Sequence, residues 1–288
     1  MNINKIYAAV ATVALGLSPH AFALSFTDGN LTGGVDFGGD VTVPVSTNQW
    51  QWATGNAINF ASTQVTQMTN GFKTLTVPAT TNLPLLVGQT KAATIGSLAG
   101  GIDPQIAFTD AAGTAVVPTW DTSGNTGKGT LTLPVTAADG TTALGSMILK
   151  VKVGGVKAAT DTAGTSVTLT STNSRGTGTS LFGTVAQPSA GAGALATGTT
   201  GAGWNNALGA NADTILLSQL NTANGKNATT WGVNTQAVAT GFTDPGWYYS
   251  GTYGLGIAQG DTIVVNFTNP VSANTTWKAP LKVTVTYL

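Results

Sequence analysis

Residues 31–43 read Leu-Thr-Gly-Gly-Val-Asp-Phe-Gly-Gly-Asp-Val-Thr-Val and alternate between two classes of residue. One class is apolar or glycine and includes Leu31, Val35 and Phe37, while the other is polar or glycine. A period of two predicts a β-strand with a single apolar face. Glycine loses much backbone entropy on ordering and offers no side chain to pack. The strand therefore needs a partner that holds it.

A second one-faced strand is predicted near the other end of the chain, from Pro280 to Leu288. Its apolar positions are Leu281, Val283, Val285 and Tyr287, and they alternate with lysine and threonine. An alternating strand near each end suggests pairing between chains. Two simpler interpretations stay open: the first strand is an ordinary edge strand of the same domain, and the second closes a complete sandwich.

The first 23 residues have the pattern of a secretory signal peptide. Met1–Lys5 are positively charged, Ile6–Leu17 form an apolar core too short to span a bilayer, and Ala21-Phe22-Ala23 is a small-x-small cleavage site. Cleavage after Ala23 would leave 265 residues that begin with Leu24. We therefore expect a protein exported from the cytoplasm.

The residue types that remain after cleavage exclude most catalytic and metal-binding chemistry. The only histidine, His20, leaves with the signal peptide, and the chain has no cysteine and no glutamate. Acid–base catalysis and transition-metal binding rely mainly on those residues, so we expect no enzyme, no metal site and no cofactor. A glycosidase that uses two aspartates is the remaining enzymatic alternative. Loss of Lys5 changes the formal net charge from 0 to −1, which argues against a nucleic-acid partner.

Short β-branched or alternating segments recur along the chain and predict an all-β sandwich. They are separated by turn signals, among which we count Gly154-Gly155. The predicted strands are Phe72–Val77, Leu83–Val87, Gln105–Thr109, Ala115–Val117, Thr130–Leu133, Ser146–Val153, Ser166–Thr170 and Thr262–Phe267, followed by Pro280–Leu288.

A region at about residues 171–234 departs from this rhythm and is interpreted as an insertion on the sandwich. It contains one helix signal, with Asn211 or Asp213 as N-cap, an apolar side that includes Leu216 and Leu220, and Gly225 as the stop. A poorly ordered surface loop is the alternative.

Several separate blocks of the chain resemble the FaeG-type fimbrial subunits of enterobacteria. The blocks are Gly33–Gly39, Trp50-Gln-Trp52 with Thr54-Gly55, Gly100–Asp110, Gly254–Gly260 and Trp277–Tyr287. The similarity is good at both ends and in the first half, and loose from about residue 171 to residue 251. A glycine about fourteen residues from the end, common in chaperone-assembled pilins, is replaced here by Thr275.

The resemblance implies an incomplete immunoglobulin-like β-sandwich that is completed by donor-strand exchange. In such fimbriae a periplasmic chaperone delivers each subunit to an outer-membrane usher, and the N-terminal extension of one subunit fills a groove in the next copy. We therefore expect residues 24–43 to be the donor extension and residues 44–288 the pilin domain, at the cell surface in a fimbrium. The donor positions would be Leu31, Gly33, Val35, Phe37, Gly39 and Val41, and the chaperone or groove strand would carry Leu281, Val283, Val285 and Tyr287.

The resemblance also implies that the major subunit can act as an adhesin for host glycans. Sugars are commonly held by an aromatic face together with amide or guanidinium groups. The insertion offers such groups in Arg175, Phe182, Trp204, Asn205 and Asn206. The alternative for Phe182 and Trp204 is that they anchor the insertion to the sandwich. A secreted, monomeric, carbohydrate-binding sandwich is the alternative for the whole protein.

Overall fold

The computed structural model describes residues 49–60, 63–97, 101–174 and 180–288. The expected signal peptide, the donor positions Leu31 to Val41 and Arg175 lie outside the described residues. The strands are β1 (Trp50–Thr54), β2 (Thr74–Pro78), β3 (Leu83–Thr90), β4 (Thr94–Ile95), β5 (Pro104–Thr109), β6 (Thr119–Trp120), β7 (Lys128–Ala137), β8 (Ala143–Asp161), β9 (Val167–Asn173), β10 (Val233–Val238), β11 (Trp247–Ile257), β12 (Thr262–Phe267), β13 (Trp277–Lys278) and β14 (Lys282–Tyr287). The helices are α1 (Gly198–Ala207) and α2 (Asp213–Asn224), and single 3₁₀ turns lie at Val65–Gln67 and Gly191–Gly193.

A large sheet forms the centre of the fold, and its main path runs β1-β3-β11-β8-β12-β2. The 19-residue strand β8 connects most of this sheet, because it pairs with β7, β9, β11 and β12 along different parts of its length. These pairings are antiparallel, whereas β10 runs parallel to β9. The second sheet contains β5 and β14, paired antiparallel from Lys282 with Thr109 to Tyr287 with Pro104.

The core lies between the two sheets. Alternate residues of the large sheet, such as Leu131, Val151 and Leu255, are fully buried and share one apolar cluster with Ile106 and Phe108 of the small sheet. This is the hydrophobic-in, polar-out pattern of sheets with one buried face. The predicted all-β sandwich with a small helical part is confirmed.

Helices α1 and α2 form a third layer on the outer face of the large sheet. Neighbouring residues of a strand point to opposite faces, and Leu255 belongs to the core while Gly254 faces Asn205 of α1. The helices have an apolar cluster of their own with the outer residues of β8 and β9, which contains Val156, Ala158, Val167, Leu169, Ala202, Leu216, Leu217 and Leu220. The region interpreted as an insertion is thus folded where it is described, and it contains two helices rather than the one predicted.

Two sequence predictions about β structure are wrong. Gly154-Gly155 is not a turn, because β8 runs straight through both residues. A Cβ on Gly154 would lie 2.5 Å from Asn205 Oδ1, and one on Gly155 would lie 2.6 Å from Thr172 Oγ1, so these glycines permit close packing instead. The segment 115–117 forms no strand and makes only an isolated bridge between Ala115 and Thr109.

Candidate functional site: an apolar groove

A groove with a volume of about 1660 Å³ opens on the core. That volume exceeds the roughly 300–1,000 Å³ of common small-molecule pockets. Much of its lining comes from two parts of the chain that lie far apart in sequence, residues 54–60 with 63–68 and residues 270–283. The groove is therefore larger than the pockets that small molecules commonly occupy.

The floor of the groove is the hydrophobic core itself. It is formed by inward-facing residues of the large sheet and of β5, each of them at least nine-tenths buried: Leu75, Leu86, Phe108, Leu133, Met147, Leu149, Leu255, Ile263 and Phe267. Their positions follow from strand alternation, since β7 and β12 place every second residue on this face. A floor with this composition selects for apolar side chains in whatever occupies the groove.

Strand β14 provides one wall. Leu281, Val283, Val285 and Tyr287 are half-buried against the core, whereas Lys282, Thr284 and Thr286 are exposed. Leu281 and Val283 line the groove, and the Tyr287 hydroxyl accepts a hydrogen bond of 2.8 Å from Trp52 Nε1. The predicted alternation of this strand is therefore present.

In the described part of the chain, β14 has a neighbouring strand on one side only. Among the residues that the structure describes, β14 pairs with β5 and with no other strand. An edge strand has a row of peptide N–H and C=O groups available for pairing with another strand. Val283, Val285 and Tyr287 of the apolar wall lie on this strand, and Leu281 precedes it by one residue.

A second part of the lining, which we call the other wall, comes from the segment that follows β1. Its half-buried apolar residues Ile58 and Phe60 pack against the core. The Phe60 ring stacks on Trp277 with centroids 5.4 Å apart, and Trp277 meets Phe267 edge-on at 6.3 Å. Because Phe60 and Trp277 belong to different walls, this aromatic contact joins the two sides of the groove.

A buried charge lies where β14 meets β5. Asp103 is 8% exposed, its Oδ1 accepts a 2.7 Å hydrogen bond from the Phe242 N–H, and its carbonyl accepts the Leu288 N–H at 3.0 Å. Burial raises the pKa of Asp103, an effect that the Phe242 N–H and the nearby Lys157 only partly oppose. Burial likewise lowers the pKa of Lys157, whose Nζ donates a hydrogen bond to Thr240.

The structure places the predicted glycan-binding residues mostly inside the protein. Phe182 is fully buried, with its ring 5.0 Å from Tyr253 and edge-on to Trp50 at 5.5 Å. Trp204 is 6% exposed and donates its indole N–H to the Gly254 carbonyl at 3.2 Å. Phe182 is therefore part of the core and Trp204 fixes α1 to the sheet, as the alternative interpretation has it.

The two asparagines that follow Trp204 point in different directions. Asn205 is fully buried and donates from Nδ2 to Thr252 Oγ1 at 2.6 Å, and its Oδ1 has no hydrogen-bond partner among the residues that the structure describes. Asn206 is exposed and donates to the Ala210 carbonyl at 2.9 Å. Of the candidate residues in the described part of the chain, only Asn206 offers polar atoms to solvent, so the structure does not bring this set together at a surface.

Comparison with known proteins identifies the family. The family model for the major and minor fimbrial subunits of the K88 type matches residues 3–288. The chain belongs to the K88 fimbrial subunit family. It is 33% identical to the K88 fimbrial protein AB of Escherichia coli and 31% identical to the K88 fimbrial protein AC of the same species. Each of these alignments covers 99% of this chain and the whole of the relative.

Membership in the K88 family establishes a structural subunit of a surface fimbria, not an enzyme. The predicted FaeG-type resemblance is thereby confirmed. Within the described residues no helix is long and apolar enough to cross a membrane. The groove is accordingly the candidate site for contact between subunits of a K88-type fibre.

Sequence reasoning found the β14 wall of the groove and missed the other wall. Ile58 and Phe60 lie in a segment without secondary structure, so no period marks them. Trp277 belongs to a block that resembles the family, and its sequence context does not mark it as part of a groove. The segment Asn56–Phe60 gives only a weak signal for this wall. Its apolar residues Ile58 and Phe60 are two positions apart, as in a strand, but two positions are too few to establish a period.

Proposed function

We propose that this fimbrial subunit polymerises by donor-strand exchange in a chaperone–usher pathway. The observation that carries the proposal is the groove, whose floor is the apolar core and whose β14 wall has one backbone edge that no described strand pairs with. A strand laid in the groove would bury its apolar side chains and pair with β14 at the same time. Strand addition of this kind takes affinity from main-chain bonds and specificity from alternate side chains.

The segment at residues 31–43 has the pattern that this groove requires. One face of the predicted strand carries the apolar side chains of Leu31, Val35, Phe37 and Val41. Gly33 and Gly39 lie on the same face and would fit where the groove leaves no room for a side chain. Burial of the four side chains contributes about 6–12 kcal/mol before the cost of ordering the segment. Because the donor segment and the groove occur on the same polypeptide, each copy can give a strand to one neighbour and accept a strand from another.

A chaperone is required by the same physics. An unassembled subunit leaves the half-buried apolar side chains of β14 partly exposed next to a strand edge that no described strand covers, and both features favour aggregation. We propose that a periplasmic chaperone covers Leu281, Val283, Val285 and Tyr287 until an incoming donor strand replaces it at the usher. The same pattern suits a major subunit, since it both donates and accepts.

Deletion of residues 24–43 tests the proposal. The truncated subunit should still be recovered in a complex with its chaperone, because its groove is intact, and it should be absent from fibres as a donor. Polymer ladders on non-denaturing gels measure the outcome, with the full-length chain as control. Ladders of normal length from the deletion variant would refute donor-strand exchange through this segment.

Glycan adhesion is proposed as a second role, supported by the position of the helical layer. Helices α1 and α2 cover the face of the large sheet that lies opposite the core, so a filled groove would not bury them. An array of host glycans probed with assembled fibres tests this role, and Asn206→Ala tests the one exposed candidate. Absence of binding to every glycan would refute an adhesive role for this subunit.

A further inference from the structure

The turn between the 3₁₀ segment and β2 has an unusual backbone. Three consecutive residues, Asn70, Gly71 and Phe72, have positive φ angles of 52°, 64° and 65°. Asparagine and glycine adopt this region readily, but a bulky aromatic residue does so only at a cost in energy. The conformation of Phe72 therefore needs a reason.

The surroundings of Phe72 hold it in place but do not cover its ring. The Phe72 carbonyl accepts the Val271 N–H at 3.0 Å, and the Lys73 carbonyl accepts the Phe267 N–H at 2.8 Å. These bonds tie the turn to the segment that leads into the groove wall. The Phe72 side chain nevertheless remains 49% exposed, and it lines the groove.

Two further apolar residues, Val65 and Met68, line the groove together with Phe72, and we call these three the rim residues. Val65, from the neighbouring 3₁₀ turn, is 38% exposed and lines the same groove, and Met68 beside it is half-buried against the core. The groove floor, by contrast, is made of residues that are at least nine-tenths buried. The rim residues are thus the apolar part of the groove that an approaching chain can reach first.

We propose that Phe72 is a docking residue for the donor strand of a second copy of this chain. The inference rests on the proposed donor-strand exchange. The occupant is residues 31–43 of the neighbouring copy, because their alternating apolar side chains match an apolar rim and floor. The left-handed backbone at Phe72 presents the ring at the groove, and the incoming strand covers the half of the ring that the subunit leaves in water.

The experiment measures how fast the full-length chain captures a fluorescent peptide that spans residues 24–43. We expect Phe72→Ser to slow capture about five- to tenfold, in line with loss of a half-exposed aromatic contact. Phe72→Leu, which keeps an apolar side chain, should stay within about twofold of the wild type. Val117→Ser is the matched control, since Val117 is 61% exposed but does not line the groove.

A thermal melt of Phe72→Gly separates docking from structural support. Glycine relieves the positive-φ cost, so this variant should melt no lower than the wild type while capturing the peptide as slowly as Phe72→Ser. Capture by folded Phe72→Ser at the wild-type rate would overturn the role of Phe72 and leave donor-strand exchange intact. Failure of the wild-type chain to capture the peptide at all would instead overturn the proposed exchange.

Discussion

Two adjacent substitutions on β14 should have opposite consequences for assembly. Val283 is half-buried and lines the groove, while Thr284 is exposed on the other face of the same strand. Val283→Asp would place a carboxylate against the donor strand, and Thr284→Asp would place the same group in water. Both substitutions put aspartate on one strand at neighbouring positions, so they share the same effect on strand propensity and net charge.

The size of the difference follows from burial. A valine side chain contributes about 1.5–3 kcal/mol when it is fully buried, and the donor strand would complete its burial. An unpaired carboxylate in the groove adds a desolvation penalty of at least about 1–3 kcal/mol. We expect Val283→Asp to weaken strand binding by about 3 kcal/mol, which corresponds to roughly 100-fold in the dissociation constant.

The assay is binding of the peptide 24–43 to each full-length variant, with circular dichroism as the check that both variants fold. Thr284→Asp should bind within about threefold of the wild type, because its side chain stays in solvent. Equal affinities for Val283→Asp and Thr284→Asp, with both proteins folded, would show that the odd-numbered face of β14 does not contact the donor strand.

Three further predictions concern the stability of the subunit. Gly154→Ala should lower the free energy of unfolding by about 1–3 kcal/mol in urea denaturation, because its Cβ collides with α1, whereas Gly203→Ala on the open side of α1 should raise it slightly. Asp103→Asn should stabilise the protein at neutral pH, because the raised pKa of Asp103 means that its ionised form lowers the free energy of unfolding. The difference between the urea midpoints of the variant and the wild type should shrink as the pH falls toward the ordinary Asp pKa of 3.8. Leu220→Ala should cost about 2–5 kcal/mol because Leu220 is fully buried, whereas exposed Ile215→Ala should change the thermal midpoint little.

The regular parts of the fold were predictable because one periodicity governed each of them. Thr262–Phe267 was predicted with the bounds that the structure shows, and β14 was predicted with its apolar face. Helix α2 was predicted through Leu216, Leu220 and the Gly225 cap, and its N-cap is Ala212, one residue from the predicted position. In each case local propensity and burial agree, so the sequence pattern is clear.

The missed elements are those in which tertiary packing overrides local preference. Strand β11 is buried on both faces, so its residues show no alternation, and its glycines resemble a loop. Gly254 lies within it because a Cβ there would meet Asn205 Oδ1 at 2.5 Å. Helix α1 contains three glycines in ten residues, and it is held by packing on β8 and β9 rather than by helix propensity.

For a related reason the structure does not bring the predicted sugar-binding trio together at a surface. Trp204, Asn205 and Asn206 are adjacent in sequence, but once they lie on a helix each points about 100° away from the next. Trp204 and Asn205 consequently face the sheet, and Asn206 faces solvent. Without knowledge of the helix, the sequence could not separate an anchoring tryptophan from a ligand-binding one.

Disulfide trapping between copies tests the exchange of strands most directly, because the chain has no cysteine of its own. One variant carries a single cysteine at position 33, 35, 37, 39 or 41, and the other carries Val283→Cys or, as control, Thr284→Cys. The account predicts that co-assembled fibres contain a cross-linked pair of chains for Val283→Cys with at least one donor position, and none for Thr284→Cys. Fibres that form normally but give no Val283 cross-link with any donor position would contradict a donor strand in the groove.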